Sequence, residues 1–244
     1  MCRKKRVFLA GASGAIGRLL CQLLIKNGYE VIGTTRSVEK VKMLQTLGVE
    51  PVVIDVFDAQ KLEEVVINAK PDIVIHQLTD LPAGLDPAKM EAALVRNARL
   101  REEGTKNLVN ASLKAGAKKM IAQSIAFVYE PGALPHTEES PLLNFKDPTY
   151  GETSRALASL EEQVLNASFA GIVLRYGLLF GPGTGFDSAI DALPCVHVEA
   201  AAHAALLAIK CKEKGIYNIA IKDDRLSTTK ATSVLKWNAN FRIG

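Results

Sequence analysis

Short apolar runs and helical apolar stripes alternate along this chain. Val7-Phe8-Leu9-Ala10 is an unbroken apolar run, the pattern of a strand buried on both faces, and Ile16, Leu19, Leu20, Leu23 and Leu24 then recur at helical spacing. The same alternation predicts strands at Tyr29 to Thr35, Pro51 to Asp58, Pro71 to Thr79, Lys119 to Ser124, Gly171 to Tyr176 and Gly215 to Ala220. A long helical pattern runs from Asp86 to Gly116, with Leu94, Ala98, Leu108, Val109 and Leu113 among its apolar positions. Further helices are predicted at Tyr150 to Asn166, Ala200 to Cys211 and Thr228 to Leu235. Strands alternating with helices predict an α/β fold, a doubly wound and mostly parallel sheet flanked by helices.

Directly after its first apolar run the chain reads Gly11-Ala12-Ser13-Gly14-Ala15-Ile16-Gly17, three glycines at three-residue spacing. Without a β-carbon the backbone can turn tightly, approach a pyrophosphate closely and offer unpaired amides at the positive end of a helix dipole. A strand before, a helix after and a second strand beyond are the context of a Rossmann-type dinucleotide loop. Gly11, Ser13, Gly14, Ala15, Ile16 and Gly17 are therefore the expected pyrophosphate contacts. Arg36 stands just past the second strand, where an acid would accept from the ribose hydroxyls of NAD and an arginine pairs with the additional phosphate of NADP. No Asp or Glu occurs from Gly33 to Val38, so the expected cofactor is NADP in preference to NAD. Helix formation does not account for Arg36, since a cation at a helix N-terminus is unfavourable by up to about 1 kcal/mol.

Composition narrows the class. A chain of 244 residues with 48% hydrophobic content can bury a large core and suits one sizeable α/β domain with an appendage. The expected division is a dinucleotide-binding domain over residues 1–176 and a small C-terminal lobe over 177–244 that partly completes it. The net charge of +4 is slight, and Arg3, Lys4, Lys5 and Arg6 hold much of it, which reads as a solvated terminus and not as a nucleic-acid or lipid contact. Cys2, Cys21, Cys195 and Cys211 lack metal-ligand spacing, and no secretory or membrane-spanning run occurs, so reduced thiols, a cytoplasmic location and no bound metal are expected.

The Gly11, Gly14, Gly17 spacing resembles that of the extended and atypical short-chain dehydrogenase/reductases, the group that includes NAD-dependent epimerases and dehydratases of sugar nucleotides. The likeness covers nearly the whole chain. It implies that Asp55, with Val56 beside it, accepts from the adenine amino group, although Asp55 could instead cap the next helix, a role for which Asp58 is better placed. It implies that Leu78 and Thr79 pass beneath the ribose and nicotinamide, and that Tyr150 is the proton donor or acceptor. Relatives place a lysine four residues after that tyrosine, on the same helix face, where its ammonium lowers the phenol pKa and holds the ribose. Here that residue is Ser154. Without such a cation a phenol, ordinarily of pKa about 10, is only about one part in a thousand ionised at pH 7. Arg155 is the nearest cation in sequence, but one further residue turns it by about 100° around the helix.

Two more positions depart from the family pattern. The serine or threonine expected four residues before Tyr129 is Ile125, which leaves the adjacent Ser124 to orient the substrate oxygen provided the loop twists. The asparagine expected three residues before Gly104 is Arg101, with Asn97 one turn earlier. Arg175 reads equally as an ion-pair partner or a ligand contact, His76 as a packed or backbone-bonded imidazole, and Trp237 as an apolar clamp. Only Phe186 to Pro194 stand where sugar-nucleotide enzymes have a longer substrate-shaping segment. The resemblance thus implies an NADP-binding oxidoreductase, or an epimerase- or dehydratase-like enzyme, for a small carbonyl, alcohol or sugar-type substrate. The alternative is a non-catalytic NADP-binding sensor or regulatory protein, prompted by Ser154 in place of the lysine, Ile125 in place of the hydroxyl residue and the short segment at Phe186 to Pro194. Relatives often pair the helices at Asp86 to Gly116 and Tyr150 to Asn166 across a homodimer.

Overall fold

The computed structural model describes residues 3–244; Cys2 lies outside the described residues. Among those described, seven parallel strands form one sheet in the order β3-β2-β1-β4-β5-β6-β9. They are β1 (Arg6–Ala10), β2 (Glu30–Thr35), β3 (Glu50–Val53), β4 (Ile73–His76), β5 (Lys119–Ile125), β6 (Ala170–Tyr176) and β9 (Gly215–Ile219). The register sets Val7 opposite both Val31 and Ile73. Chain order reverses at β1, with β2 on one side and β4 on the other, and this switch point opens a crevice at the carboxyl ends of the strands.

Strand alternation explains why both faces are covered. Val7 and Leu9 of β1 enter one core with Leu20 and Leu24 of α1 (Ala15–Lys26) and the alanine-rich face of α7 (Val198–Lys210). Phe8 and Ala10 enter the other, with Leu62 and Val66 of α3 (Ala59–Ala69), Leu108 of α5 (Thr105–Lys114) and Leu160 and Val164 of α6 (Gly151–Asn166). Leu9, Leu20, Leu24 and Phe8 have no exposed surface, and burying each such side chain contributes roughly 1.5–3 kcal/mol. A short α2 (Val41–Thr46) follows β2.

The structure refines the expected elements. The third strand ends at Val53, because the backbone turns at Asp55, whose Oδ1 accepts from the Phe57 amide at 3.0 Å. The long helix comprises α4 (Pro87–Arg99), a π-helical turn at Leu100–Gly104 and α5. A π-turn carries one extra residue per turn and often marks a functional position. After β6 the chain forms β7 (Leu178–Phe180), which pairs in parallel with β8 (Cys195–His197). The last predicted helix is helical from Thr229 and continues as a π-turn at Ala231–Leu235. Trp237 clamps it down, 3% exposed, with Nε1 donating to the Ala200 carbonyl at 2.8 Å. No described helix is long and apolar enough to cross a membrane.

Candidate functional site

The glycine loop lies at the switch point, between β1 and α1. Gly11 has φ +88°, and a β-carbon there would stand 2.6 Å from the Gln77 carbonyl oxygen. A β-carbon on Gly17 would collide with the Gly11 carbonyl oxygen, so the first turn of α1 rests directly on the loop backbone. Gly14 caps α1 without a side chain, which leaves the amides of Ala15, Ile16 and Gly17 at the positive helix end with no side-chain acceptor. The loop is fastened to β2: the Gly11 amide donates to Thr34 Oγ1 at 3.2 Å and Ser13 Oγ donates to Thr35 Oγ1 at 3.0 Å. This cradle fits a pyrophosphate.

Past the end of β2, Arg36 is already paired. Its Nη2 lies 3.2 Å from Asp80 Oδ1, and Arg96 of α4 approaches the same carboxylate at 3.5 Å. Asp80 is positioned by its own amide, which donates to Asn97 Oδ1 at 3.1 Å. Asp58 caps α3 through the Lys61 amide at 3.1 Å, leaving Asp55 exposed at the rim. The Val56 carbonyl accepts from Asn107 Nδ2 at 3.0 Å. Beyond β4, the Leu78 amide donates to His76 Nδ1 at 3.2 Å and its carbonyl accepts from Gln123 at 3.1 Å, while Thr79 is exposed.

Beneath the carboxyl ends of β4, β5 and β6 lies a buried polar cluster. Ser124 is 3% exposed and donates to Glu161 Oε1 at 2.7 Å, and the Glu161 carboxylate also accepts from Arg175 Nε at 2.8 Å and Nη2 at 2.6 Å. Arg175 continues to Tyr129 Oη at 2.9 Å, which donates to Asn218 at 2.6 Å. Burial works against the Arg175 charge, but the hydrogen bonds and charge of Glu161 raise its pKa above the usual arginine range. Of the two readings of Arg175, the structure therefore shows the ion pair. His76 is fully buried against Thr105 Oγ1 at 3.0 Å; burial, and secondarily the Arg101 charge, push its imidazole down to about 4. It is a neutral packing residue. Arg101, on the π-turn, is also turned inward, and burial lowers it to about 10 against the opposing pull of Glu161.

Tyr150 stands apart from this cluster, at the N-cap of α6 and 47% exposed. Ser154 is buried and donates to the Leu143 carbonyl at 2.6 Å. Arg155 faces outward in a 2.7 Å pair with Glu102 and does not stand in for the missing lysine. The loop residues and Arg36 thus share one crevice, whereas the Ser124 hydroxyl is directed to the buried Glu161 and Tyr150 is exposed. Asp80, Glu161 and the buried disposition of Arg101 escaped sequence reasoning. A lone acid in a helix or loop reads as surface, and only the contact identifies its partner.

Residues 7–194 match the model of the NAD dependent epimerase/dehydratase family. A Streptomyces protein, 3-diazoavenalumate denitrifying reductase, is 40% identical over 183 residues, covering 74% of this chain and 58% of its own. UDP-N-acetyl-alpha-D-glucosaminuronate decarboxylase of Bacillus cytotoxicus is 30% identical over 192 residues, covering 73% and 56%. The chain spans a little over half the length of these two relatives. Among solved structures, UDP-glucose 4-epimerase of Thermotoga maritima superposes with a TM-score of 0.77 at 20% identity, covering 97% of this chain and 94% of that one. UDP-glucuronic acid 4-epimerase of Bacillus cereus, in complex with UDP-glucuronic acid and NAD, gives 0.76 at 18% identity, covering 97% and 95%.

Proposed function

Because this chain belongs to the NAD-dependent epimerase/dehydratase family, we propose that it is an oxidoreductase that binds a nicotinamide dinucleotide and acts on a small carbonyl, alcohol or sugar-type compound. The observation that carries this reading is the glycine cradle, in which β-carbons at Gly11 and Gly17 would strike backbone. The bound nicotinamide supplies or accepts the hydride. The amides of Ser13 to Gly17 hold the pyrophosphate, Asp55 and Val56 face the adenine, and Leu78 and Thr79 pass the ribose. Tyr150 exchanges the proton at the substrate oxygen. With its own proton directed to Glu161, Ser124 Oγ has only lone pairs to offer and receives a hydrogen bond from a substrate alcohol.

For the cofactor we favour NADP, with Arg36 exchanging Asp80 for the 2′-phosphate and Arg96 standing behind it. NAD is the second reading, favoured by the acid that already neutralises Arg36 and by the family's description. Titrating NADP and NAD separates the two. A homodimer through α4, α5 and α6 belongs to the same proposal, and light scattering checks it.

The test of activity is to load the protein with NADPH or NADH and follow nicotinamide absorbance across a panel of aldehydes and ketones. Turnover is expected, with Tyr150→Phe reducing it by about 10²-fold or more, the usual scale of a proton-transfer contribution. Tight cofactor binding without turnover on the whole panel refutes the enzyme reading, and turnover unchanged by Tyr150→Phe refutes the role of the phenol.

A further inference from the structure

The charge that Ser154 fails to provide has a counterpart on the neighbouring helix. Arg101 is 9% exposed, and its buried Nη1 has no hydrogen-bond partner among the described residues. Asn97, one turn earlier and 1% exposed, has an equally unpartnered Nδ2. Glu161, the acid whose charge favours Arg101, is already occupied by Ser124 and by both arms of Arg175. Glu138 meets Arg175 only through its backbone carbonyl and aims its carboxylate at the Asn218 amide. With Glu161 taken up by Arg175, Arg101 forms no salt bridge among the described residues and its Nη1 stays without an acceptor.

A buried charge without a partner is strongly destabilising, and an apolar residue of similar volume would serve the fold as well or better. Arg101 nonetheless sits beside the carboxyl ends of β4 and β5, the side of a doubly wound sheet where ligands bind. Both orphaned atoms are N–H donors, so the missing partner is rich in acceptors. Resting on the proposed function, we propose that Arg101, assisted by Asn97, anchors the carboxylate of an acidic substrate. A carboxylate matches the guanidinium fork through paired N–H···O bonds. The π-turn at Leu100–Gly104 is the device that carries this side chain inward.

The test uses full-length protein saturated with its dinucleotide and two matched pairs of probes: benzoate against benzamide, and UDP-glucuronic acid against UDP-glucose. Calorimetric titration of the unaltered protein is expected to favour the carboxylate member of at least one pair by about 10-fold to 100-fold, the range for hydrogen bonds to a charged group. The pair that responds identifies the carboxylate as that of a small acid or of a sugar nucleotide. Arg101→Gln should bring the ratio near one while cofactor affinity stays unchanged. Arg101→Met should leave the melting temperature equal or higher, a result a structural role would not give. If the Gln variant fails to fold, Arg101→Lys must keep the preference in part. No carboxylate preference in either pair, a preference that survives Arg101→Gln, a lower melting temperature for Arg101→Met, or a matching loss of cofactor affinity overturns the anchor. Failure of the dinucleotide to bind at all overturns the proposed function instead.

Discussion

Asp80→Asn isolates the electrostatics of the cofactor end. The change removes one negative charge, keeps the side-chain volume and leaves the Asp80 amide free to donate to Asn97. In the unaltered protein Arg36 and Arg96 share this carboxylate at 3.2 and 3.5 Å, with the Arg36 and Asp80 side chains 53% and 20% exposed. An exposed pair of this kind is worth about 0.2–1 kcal/mol, and that amount must be given up when Arg36 turns to a phosphate. A phosphate seated on Arg36 would lie roughly 6 Å from the Asp80 carboxylate, and at a water-like dielectric that repulsion costs about 1 kcal/mol. Removing both penalties should tighten NADP binding by about 1–2 kcal/mol, or about 5-fold to 30-fold. NAD lacks the phosphate, so its dissociation constant should move by no more than about 3-fold. Fluorescence titration of the two reduced cofactors measures both, and the NADPH gain should shrink as salt is raised. An NADPH constant that is unchanged or weaker, or equal shifts for both cofactors, refutes the arrangement.

Three further outcomes follow from the same structure. Gly17→Ala forces a β-carbon against the Gly11 carbonyl, and loss of measurable dinucleotide binding by titration is expected, with a folded far-UV spectrum retained. Glu161→Gln leaves Arg175 without its buried counter-charge, so urea unfolding should show a loss of about 3–5 kcal/mol. His76 titrates near 6.5 when unfolded and at about 4 when folded; the native state excludes the proton, so this contribution is complete above pH 6.5 and is lost as pH falls toward 4. Comparing urea unfolding at pH 8 and pH 5, the unaltered protein should lose about 2 kcal/mol more than His76→Gln. Equal losses would contradict the buried neutral imidazole.

The fold was legible because its signals are local. Each strand of the main sheet is an apolar run, and the glycine loop announces itself through residues a few positions apart. The third strand was read too long, since Ile54 and Val56 continue the apolar pattern although the Asp55 turn has already ended the pairing. The three-residue β7 is too short to show a period, and its pairing with β8 across residues 181–194 is set by the fold around them. The candidate site was legible only where one residue suffices. Arg36 could be placed from sequence, but the acid that neutralises it is 44 residues away. Arg101 could be marked from sequence as a departure from the family's asparagine, but its burial on a π-turn, which sequence spacing does not reveal, could not. Ser124 could be named as the hydroxyl adjacent to the apolar Ile125, but the direction of that hydroxyl depends on Glu161, 37 residues on.

Contacts at Gly11 and Gly17 tie three backbone segments together with no side chain between them: α1 rests on the loop, and the loop rests on the chain leaving β4. Asp80 lies three residues beyond that last contact. Displacing the phosphate cradle therefore displaces the acid that governs Arg36 as well, so the two ends of the dinucleotide site behave as one rigid part. Redesign of cofactor preference belongs in the side chains of Arg36, Asp80 and Arg96, because a transplanted glycine loop would bring the wrong strand exit with it.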